Sequence, residues 1–221
     1  MSKFLNSFLV ISTFYLLLIF FNQDNIAWYF KPFLLPFLIL VTYKSNDFHT
    51  KKWLLYALIF SWIGDIILMF ADKGELYFIF GLICFLIAHI LFILLFIKQK
   101  SEANYAKIWQ FWLGFTSTLI YLGSMLFILF PKLGDLKIPV LVYAFTISFM
   151  LVMAIKGYFS WKKPMNLLIL IGAIFFVTSD SCLAINKFYN PILNANFIIM
   201  FTYIVAQYCI TTGILKLNQK D

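Results

Sequence analysis

Arginine is absent from this sequence, and charged residues of every kind are scarce. Only 12% of the 221 residues are charged, whereas 63% are hydrophobic. A typical soluble domain carries about 25% charged residues, and no soluble core of this size buries so much apolar surface. The composition therefore excludes an ordinary soluble domain and predicts an integral membrane protein.

The motifs of several large enzyme classes are also missing. The three cysteines and two histidines do not have the spacing of a metal site. There is no Gly-x-Ser-x-Gly element, no glycine-rich phosphate loop and no dinucleotide fingerprint. The net charge of +8 comes from lysines in predicted loops, so nucleic acid is not expected as a partner. Neither a metal nor an organic cofactor is expected.

Long apolar stretches run from one end of the sequence to the other. A transmembrane helix needs roughly 20 mostly apolar residues to cross the hydrocarbon core. Eight stretches meet or approach this length, which predicts an all-α, polytopic membrane helical bundle in a single domain, residues 1–221. The predicted spans are residues 5–21, 27–43, 53–70, 77–97, 109–130, 138–159, 166–185 and 195–217.

Lysine placement predicts the orientation of these spans. Because cytoplasmic loops are enriched in basic residues, the lysine-rich side, which holds both termini, is predicted to be cytoplasmic. The absence of arginine, with abundant Phe and Ile, is typical of an AT-rich bacterial genome and favours a bacterial cytoplasmic membrane. The lysine-rich side holds Lys3, Lys44, Lys51, Lys52, Lys98, Lys100, Lys107, Lys156, Lys162, Lys163, Lys216 and Lys220, and the other side holds Lys73, Lys132, Lys137 and Lys187.

Four ionisable residues fall within predicted spans, namely Lys31, Asp65, His89 and Asp180. An ionised side chain in the bilayer centre costs about 2.5–3.5 kcal/mol even on insertion scales, so such residues usually serve a function. The structural alternatives are interhelical hydrogen bonding by the aspartates, ion pairing or snorkelling by Lys31, and a satisfied core histidine.

Helical spacing places small or polar residues on the same faces as these groups. Residues at i, i+4 and i+8 share one face of a helix. Small residues let neighbouring helices approach closely, so these faces are expected to point into the bundle. The four faces consist of Ala57, Ser61 and Asp65; Gly81, Phe85 and His89; Gly172, Phe176 and Asp180; and Tyr203 with Gln207.

The two aspartates make a chemically distinct pair. If they face each other in a low-dielectric site they cannot both ionise easily, so one keeps its proton while the other is a carboxylate. Such a pair supplies an acid and a base for hydrolysis, and it equally suits a proton-coupled transporter. The last four spans do not repeat the first four, whereas repeats are common in secondary carriers. A structural or receptor protein with inert aspartates is the third hypothesis.

Several short elements make the sequence similar to the YhhN-like family of lysoplasmalogenases. They follow one another over residues 31–207, nearly the whole chain, and their combined order and spacing are more specific than any single element. The sequence departs from the family pattern in its first helix and at Lys187, the basic position of an Asn-Arg-Phe-like element. The elements are Lys31-Pro32 with Leu34-Leu35-Pro36; Ser61 to Leu68; Gly81-Leu82 and Ala88-His89; Pro139-Val140, Tyr143, Met150 and Ala154; Gly172 to Asp180; Asn186-Lys187-Phe188; and Tyr203 with Ala206-Gln207.

The resemblance implies a cofactor-independent enzyme that hydrolyses the vinyl ether bond of lysoplasmalogens to a fatty aldehyde and a glycerophospho-alcohol. Its partners would be the lysophospholipid substrate and membrane lipids. The expected catalytic residues are Asp65 and Asp180. Lys31 would hold the substrate phosphate, with His89 or Gln207 positioning water or the glycerol hydroxyl. The full set of expected substrate-binding residues is Lys31, His89, Tyr203, Gln207, Ser61 and Tyr143.

Overall fold

The computed structural model describes residues 2–100 and 108–219, and the all-α prediction is confirmed there. Lys107 and Lys220, two of the lysines used for orientation, lie outside the described residues, and the cytoplasmic placement of the termini stays a prediction. The described residues form α1 (Ser2–Phe20), α2 (Asp24–Phe30), α3 (Leu34–Tyr43), α4 (Lys51–Leu68), α5 (Glu75–Ile97), α6 (Ile108–Leu129), α7 (Lys137–Ser160), α8 (Met165–Ala184) and α9 (Ala195–Leu217).

Within the described ranges, seven helical segments are long and apolar enough to cross a membrane, so the chain is an integral multi-pass membrane protein. The eighth predicted span is α4, whose 18 residues include Lys51 and Lys52 in the first turn and Asp65 near the end. Lysines at a helix end can reach the headgroups, so α4 remains a predicted span. The seven segments are Lys3–Phe20, Asp24–Tyr43, Glu75–Ile97, Trp109–Lys132, Gly134–Ser160, Met165–Tyr189 and Ala195–Leu217.

Two spans differ from the continuous α-helices that the sequence predicts. The second span is interrupted by a 3-10 turn, Lys31–Phe33, between α2 and α3. Pro32 and Pro36 account for this break because neither has an N–H to continue the helical hydrogen bonds. The seventh predicted span continues beyond α8 as a π-helical turn, Ile185–Tyr189.

Residue contacts divide the chain into two compact units, Met1–Leu95 and Phe96–Asp221. In the first unit, α1 packs on α2 and α3, and α3 packs on α4. In the second, α6 packs on α7, α7 on α8, and α8 on α9. The assignment of the whole chain to a single membrane domain stays a prediction.

The helices α8 and α9 of the second unit pack closely along their length. Residue numbers rise along α8 as they fall along α9 in the contacting pairs, so the two helices are antiparallel. The contacts are Ile169 with Gly213, Gly172 with Ile210 and Ala206, the Phe176 and Tyr203 rings at 5.6 Å between centroids, and Ser179 Oγ donating to Ile199 O at 3.0 Å.

Gly172→Ala is expected to lower the free energy of unfolding by about 1–3 kcal/mol, the usual cost of overpacking. A Cβ atom at Gly172 would lie 2.9 Å from the backbone N of Ile210 and 3.0 Å from the carbonyl O of Ala206. These backbone atoms cannot move aside without shifting α9. Thermal unfolding of the purified protein in detergent measures the effect.

The matched control is Gly123→Ala in α6, where an added Cβ would meet nothing within 4 Å. Alanine has the higher helix propensity, so this variant should be as stable as the parent protein or slightly more stable. Equal stability of the two variants would contradict the close α8–α9 packing.

Candidate active site

Asp65 lies on a buried face of α4 in the first unit. Ala57, Ser61 and Asp65 are 0%, 0% and 3% exposed, as expected from their spacing. The neighbouring Gly64 brings α4 close to α5, since a Cβ there would lie 2.9 Å from the Phe85 ring. The carboxyl is therefore held among packed helices of its unit.

The break in the second span is anchored to α4. In an α-helix the N–H of Pro36 would bond to the carbonyl of Pro32, but proline has no N–H. The indole Nε1 of Trp62 donates to this Pro32 oxygen at 2.7 Å. An unsatisfied carbonyl is costly within a membrane, so this bond fixes the turn that carries Lys31 beside α4.

Lys31 and Tyr15 lie close enough to Asp65 to interact electrostatically with its carboxyl. Lys31 was a sequence candidate, whereas Tyr15 of α1 was missed. Tyr15 is 2% exposed and is the fourteenth of the 19 residues of α1. A buried tyrosine within an apolar span, before the membrane interface that tyrosines favour, is the signal that could have identified it.

His89 is the third sequence candidate in this unit. It is 0% exposed on α5, and Gly81 and Phe85 on the same face are also buried. The sequence therefore predicted its burial correctly. Its role in substrate binding stays a prediction.

Asp180 of α8 interacts with hydroxyl groups from two other helices of the second unit, α7 and α6. The hydroxyl of Tyr143 on α7 donates to Asp180 Oδ2. Tyr121 on α6 interacts electrostatically with Asp180 and forms a hydrogen bond with the adjacent Ser181. Asp180, Tyr143 and Tyr121 are all half-buried. Tyr143 was a sequence candidate, while Tyr121 and Ser181 were missed.

The direction of the Tyr121–Ser181 hydrogen bond follows from the second bond of Ser181. The Ser181 hydroxyl donates its single hydrogen to the carbonyl O of Val177 at 2.5 Å. Tyr121 must therefore be the donor to Ser181 Oγ. Tyr121 lies near the middle of the apolar helix α6, and its position there is the signal that could have found it.

Tyr203 and Gln207 lie on α9, in the same unit as Asp180. They are 3% and 0% exposed, which agrees with the buried face expected from their spacing. The Tyr203 ring packs edge to face on Phe176 of α8. The structure thus places each of these two candidates inside the protein.

Together, these groups can donate and accept protons. Each unit contains one of the two candidate aspartates: Lys31 and Tyr15 interact electrostatically with Asp65, and Tyr143 and Tyr121 interact with Asp180. Carboxyls in such surroundings suit general acid–base chemistry. In the described part of the chain, no three His, Cys, Asp or Glu side chains come together as potential metal ligands.

Comparison with known proteins identifies relatives over most of the chain. The model of the YhhN family matches residues 26–214. The human protein named lysoplasmalogenase TMEM86A is 27% identical over 172 residues, which cover 72% of this chain and 64% of the relative. The Mycobacterium bovis protein named lysoplasmalogenase is 30% identical over 169 residues, which cover 74% of this chain and 60% of the relative.

The matches therefore span less than two thirds of the length of these relatives. No solved structure matches the chain. The family match extends from the second span into α9 and includes Lys31, Asp65, His89, Asp180 and Gln207. It covers nearly the whole sequence, and on this basis the chain belongs to the YhhN family.

Proposed function

We propose that this protein is a membrane-embedded lipid hydrolase that cleaves the vinyl ether bond of lysoplasmalogens. The observation that carries the proposal is one buried or half-buried candidate aspartate in each unit: Lys31 interacts electrostatically with Asp65, and Tyr143 donates a hydrogen bond to Asp180. Relatives named lysoplasmalogenase support it. A lysophospholipid substrate and a location in a bacterial cytoplasmic membrane belong to the same proposal.

The reaction requires a proton donor and a proton acceptor. Protonation of the vinyl carbon that is not bonded to the ether oxygen gives an oxocarbenium ion, which a carboxylate stabilises. Water then adds to the oxocarbenium carbon and gives up a proton to a base. In the resulting hemiacetal, the hydroxyl gives up its proton to a base and the glycerol oxygen receives a proton from an acid as the bond between carbon and the glycerol oxygen breaks. The products are a fatty aldehyde and a glycerophospho-alcohol. Asp65 and Asp180 are proposed to supply the acid and the base.

The remaining candidates are proposed to hold the substrate. Lys31 binds the phosphate, because an ammonium group attracts phosphate as a point charge. Ser61 and His89, both fully buried, are proposed to contact the polar part of the lipid. Tyr203 and Gln207 have the same role on α9. Tyr143 is proposed to position Asp180 through the hydrogen bond that it donates.

The purified protein is expected to release free aldehyde from lysoplasmenylethanolamine. A heat-denatured sample and the saturated-ether analogue serve as controls, because neither supports enzymatic vinyl ether cleavage. A folded protein that releases no aldehyde but moves protons or lipid across vesicle membranes would replace the hydrolase with the transporter hypothesis.

Strong chelators are expected to leave this activity unchanged. Catalytic zinc sites use about three protein ligands, and no such group of His, Cys, Asp and Glu occurs among residues 2–100 and 108–219. Aldehyde release is measured before and after incubation with a chelator and dialysis. Loss of activity that added zinc restores would contradict the carboxylate mechanism and would make His89 a candidate ligand.

A further inference from the structure

Two polar side chains on α9 are completely buried without a hydrogen-bond partner among the described residues. Gln207 and Thr211 are both 0% exposed. The atoms concerned are Gln207 Oε1, Gln207 Nε2 and Thr211 Oγ1. The two residues are four apart on one helix, so their side chains are neighbours. Three buried polar atoms in one region are destabilising unless a partner satisfies them.

Other buried threonines of α9 satisfy their hydroxyls within the helix. Thr202 Oγ1 donates to Ile198 O at 2.7 Å, and Thr212 Oγ1 donates to Tyr208 O at 2.6 Å. Bonds of this kind, to the carbonyl four residues earlier, are common for threonine in helices. Thr211, next to Thr212 and equally buried, makes no such bond within the described residues. The helix itself therefore does not explain why Thr211 is unpartnered, and a bound molecule would explain it.

The unpartnered atoms specify the chemistry of that molecule. The Gln207 amide offers both a donor and an acceptor, and the Thr211 hydroxyl can act as either. An alcohol hydroxyl also donates and accepts, so it can pair with both kinds of atom. Phosphate and ester oxygens only accept and would leave Gln207 Oε1 unsatisfied. The ligand group that fits is a hydroxyl, carried by an alcohol or by water, and of these only an alcohol can be part of a lipid substrate.

The register of α8 and α9 determines how far Gln207 and Thr211 lie from Asp180. The residue pairs that join α8 to α9 place the backbone of Asp180 opposite residues 198–200 of α9. Gln207 therefore lies about 10–13 Å from this level, measured along the axis of α9. Side chains tilt toward the N-terminus of their own helix. In an antiparallel pair, the side chains of Asp180 and Gln207 therefore tilt toward the same level.

We propose that Gln207 and Thr211 bind a free hydroxyl of the lipid substrate and thereby select lysolipids over lipids in which that hydroxyl is esterified. The identity of the lipid rests on the proposed function. A buried amide that pairs with a hydroxyl rejects a ligand without one, because the amide is then left unpaired in a dry environment. Gln207 and Thr211 are thus proposed to determine the preference of the protein for lipids with a free hydroxyl.

The test measures binding to a lipid that cannot react. The probe is 1-O-alkyl-glycerophosphoethanolamine with a free hydroxyl at the central carbon, compared with its O-methyl derivative, by calorimetry in detergent micelles. The parent protein is expected to prefer the free hydroxyl by at least ~10-fold, the value of about one well-made buried hydrogen bond. Gln207→Met and Thr211→Val are expected to remove most of this preference. The melting temperature of Gln207→Met should equal or exceed that of the parent, because two unpartnered polar atoms are lost.

Thr212→Val is the matched control, because it removes a buried hydroxyl that is already satisfied within α9. It should keep the parental preference. If Thr211→Val keeps it as well, or if Gln207→Met melts at a lower temperature with the preference unchanged, the two residues have a structural role and the proposal is overturned. If Gln207→Met does not fold, the binding preferences of Thr211→Val and Thr212→Val still test the proposal. Because the probe has no vinyl ether, its binding can be measured whether or not the protein hydrolyses lysoplasmalogens.

Discussion

Replacement of Asp65 or Asp180 by asparagine is expected to lower the turnover of lysoplasmalogen by at least ~100-fold, the low end for a positioned proton donor or acceptor. Asparagine keeps the size and most of the hydrogen bonding of aspartate but cannot exchange a proton in the same way. Turnover is measured as aldehyde release per amount of folded, detergent-solubilised protein. The double variant should be little worse than either single one, because residues that act in one catalytic cycle are strongly non-additive.

Asp72→Asn and Asp135→Asn are the matched controls, one from each unit. Both aspartates are exposed in short 3-10 segments outside the long helices. These variants should keep parental turnover. Full activity of Asp65→Asn or Asp180→Asn would contradict the two-carboxylate mechanism, and a loss that follows only the amount of folded protein would assign the aspartates to interhelical hydrogen bonding.

Asp65→Asn needs a second variant because Asp65 interacts electrostatically with Lys31. Loss of the carboxylate removes a favourable electrostatic interaction of Lys31, which can lower the amount of folded protein. The combination of Asp65→Asn with Lys31→Met removes both charges and should recover folded protein. Turnover of the combined variant is compared with that of Lys31→Met alone, because Lys31 is itself proposed to bind the substrate phosphate. A further loss in the combined variant is then assigned to Asp65 and not to an uncompensated lysine.

Tyr143→Phe is expected to lower kcat by about 10–100-fold with a small change in KM. Hydrogen bonds to charged groups contribute about 1.5–3 kcal/mol, which corresponds to this range. The hydroxyl of Tyr143 donates to Asp180, so its removal alters the orientation and solvation of the carboxyl while the ring stays in place. Steady-state kinetics with lysoplasmenylethanolamine separate kcat from KM.

Tyr158→Phe is the control, because Tyr158 lies on the same helix as Tyr143 but about 22 Å further along it. It should retain parental kinetics. A rise in KM with unchanged kcat in Tyr143→Phe would instead support direct substrate contact by Tyr143, the role that the sequence predicts. Equal kinetics in the two variants would exclude both roles.

The positions of the helices follow closely from the sequence. The predicted span at residues 195–217 coincides with α9, and the span predicted at 77–97 differs from α5 by two residues at its start. A chain in lipid must satisfy its backbone internally, so a long apolar stretch leaves the helix as the main solution. The 3-10 turn at Lys31–Phe33 was not predicted, although Pro32 and Pro36 contain its cause. Its geometry also depends on Trp62, a residue of another helix.

The sequence alone determined which residues are exceptional, because an ionisable group in a span is costly wherever its helix packs. Asp65, Asp180 and the buried faces that carry Ser61 and Gln207 were identified in this way. The partners of these residues were decided only by the tertiary structure: Tyr15 and Lys31 at Asp65, Tyr121 and Tyr143 at Asp180, and the lack of a partner for Thr211 among residues 2–100 and 108–219. Helical periodicity relates a residue to its own turn and face, whereas the neighbour across a helix interface depends on how side chains of separate helices pack.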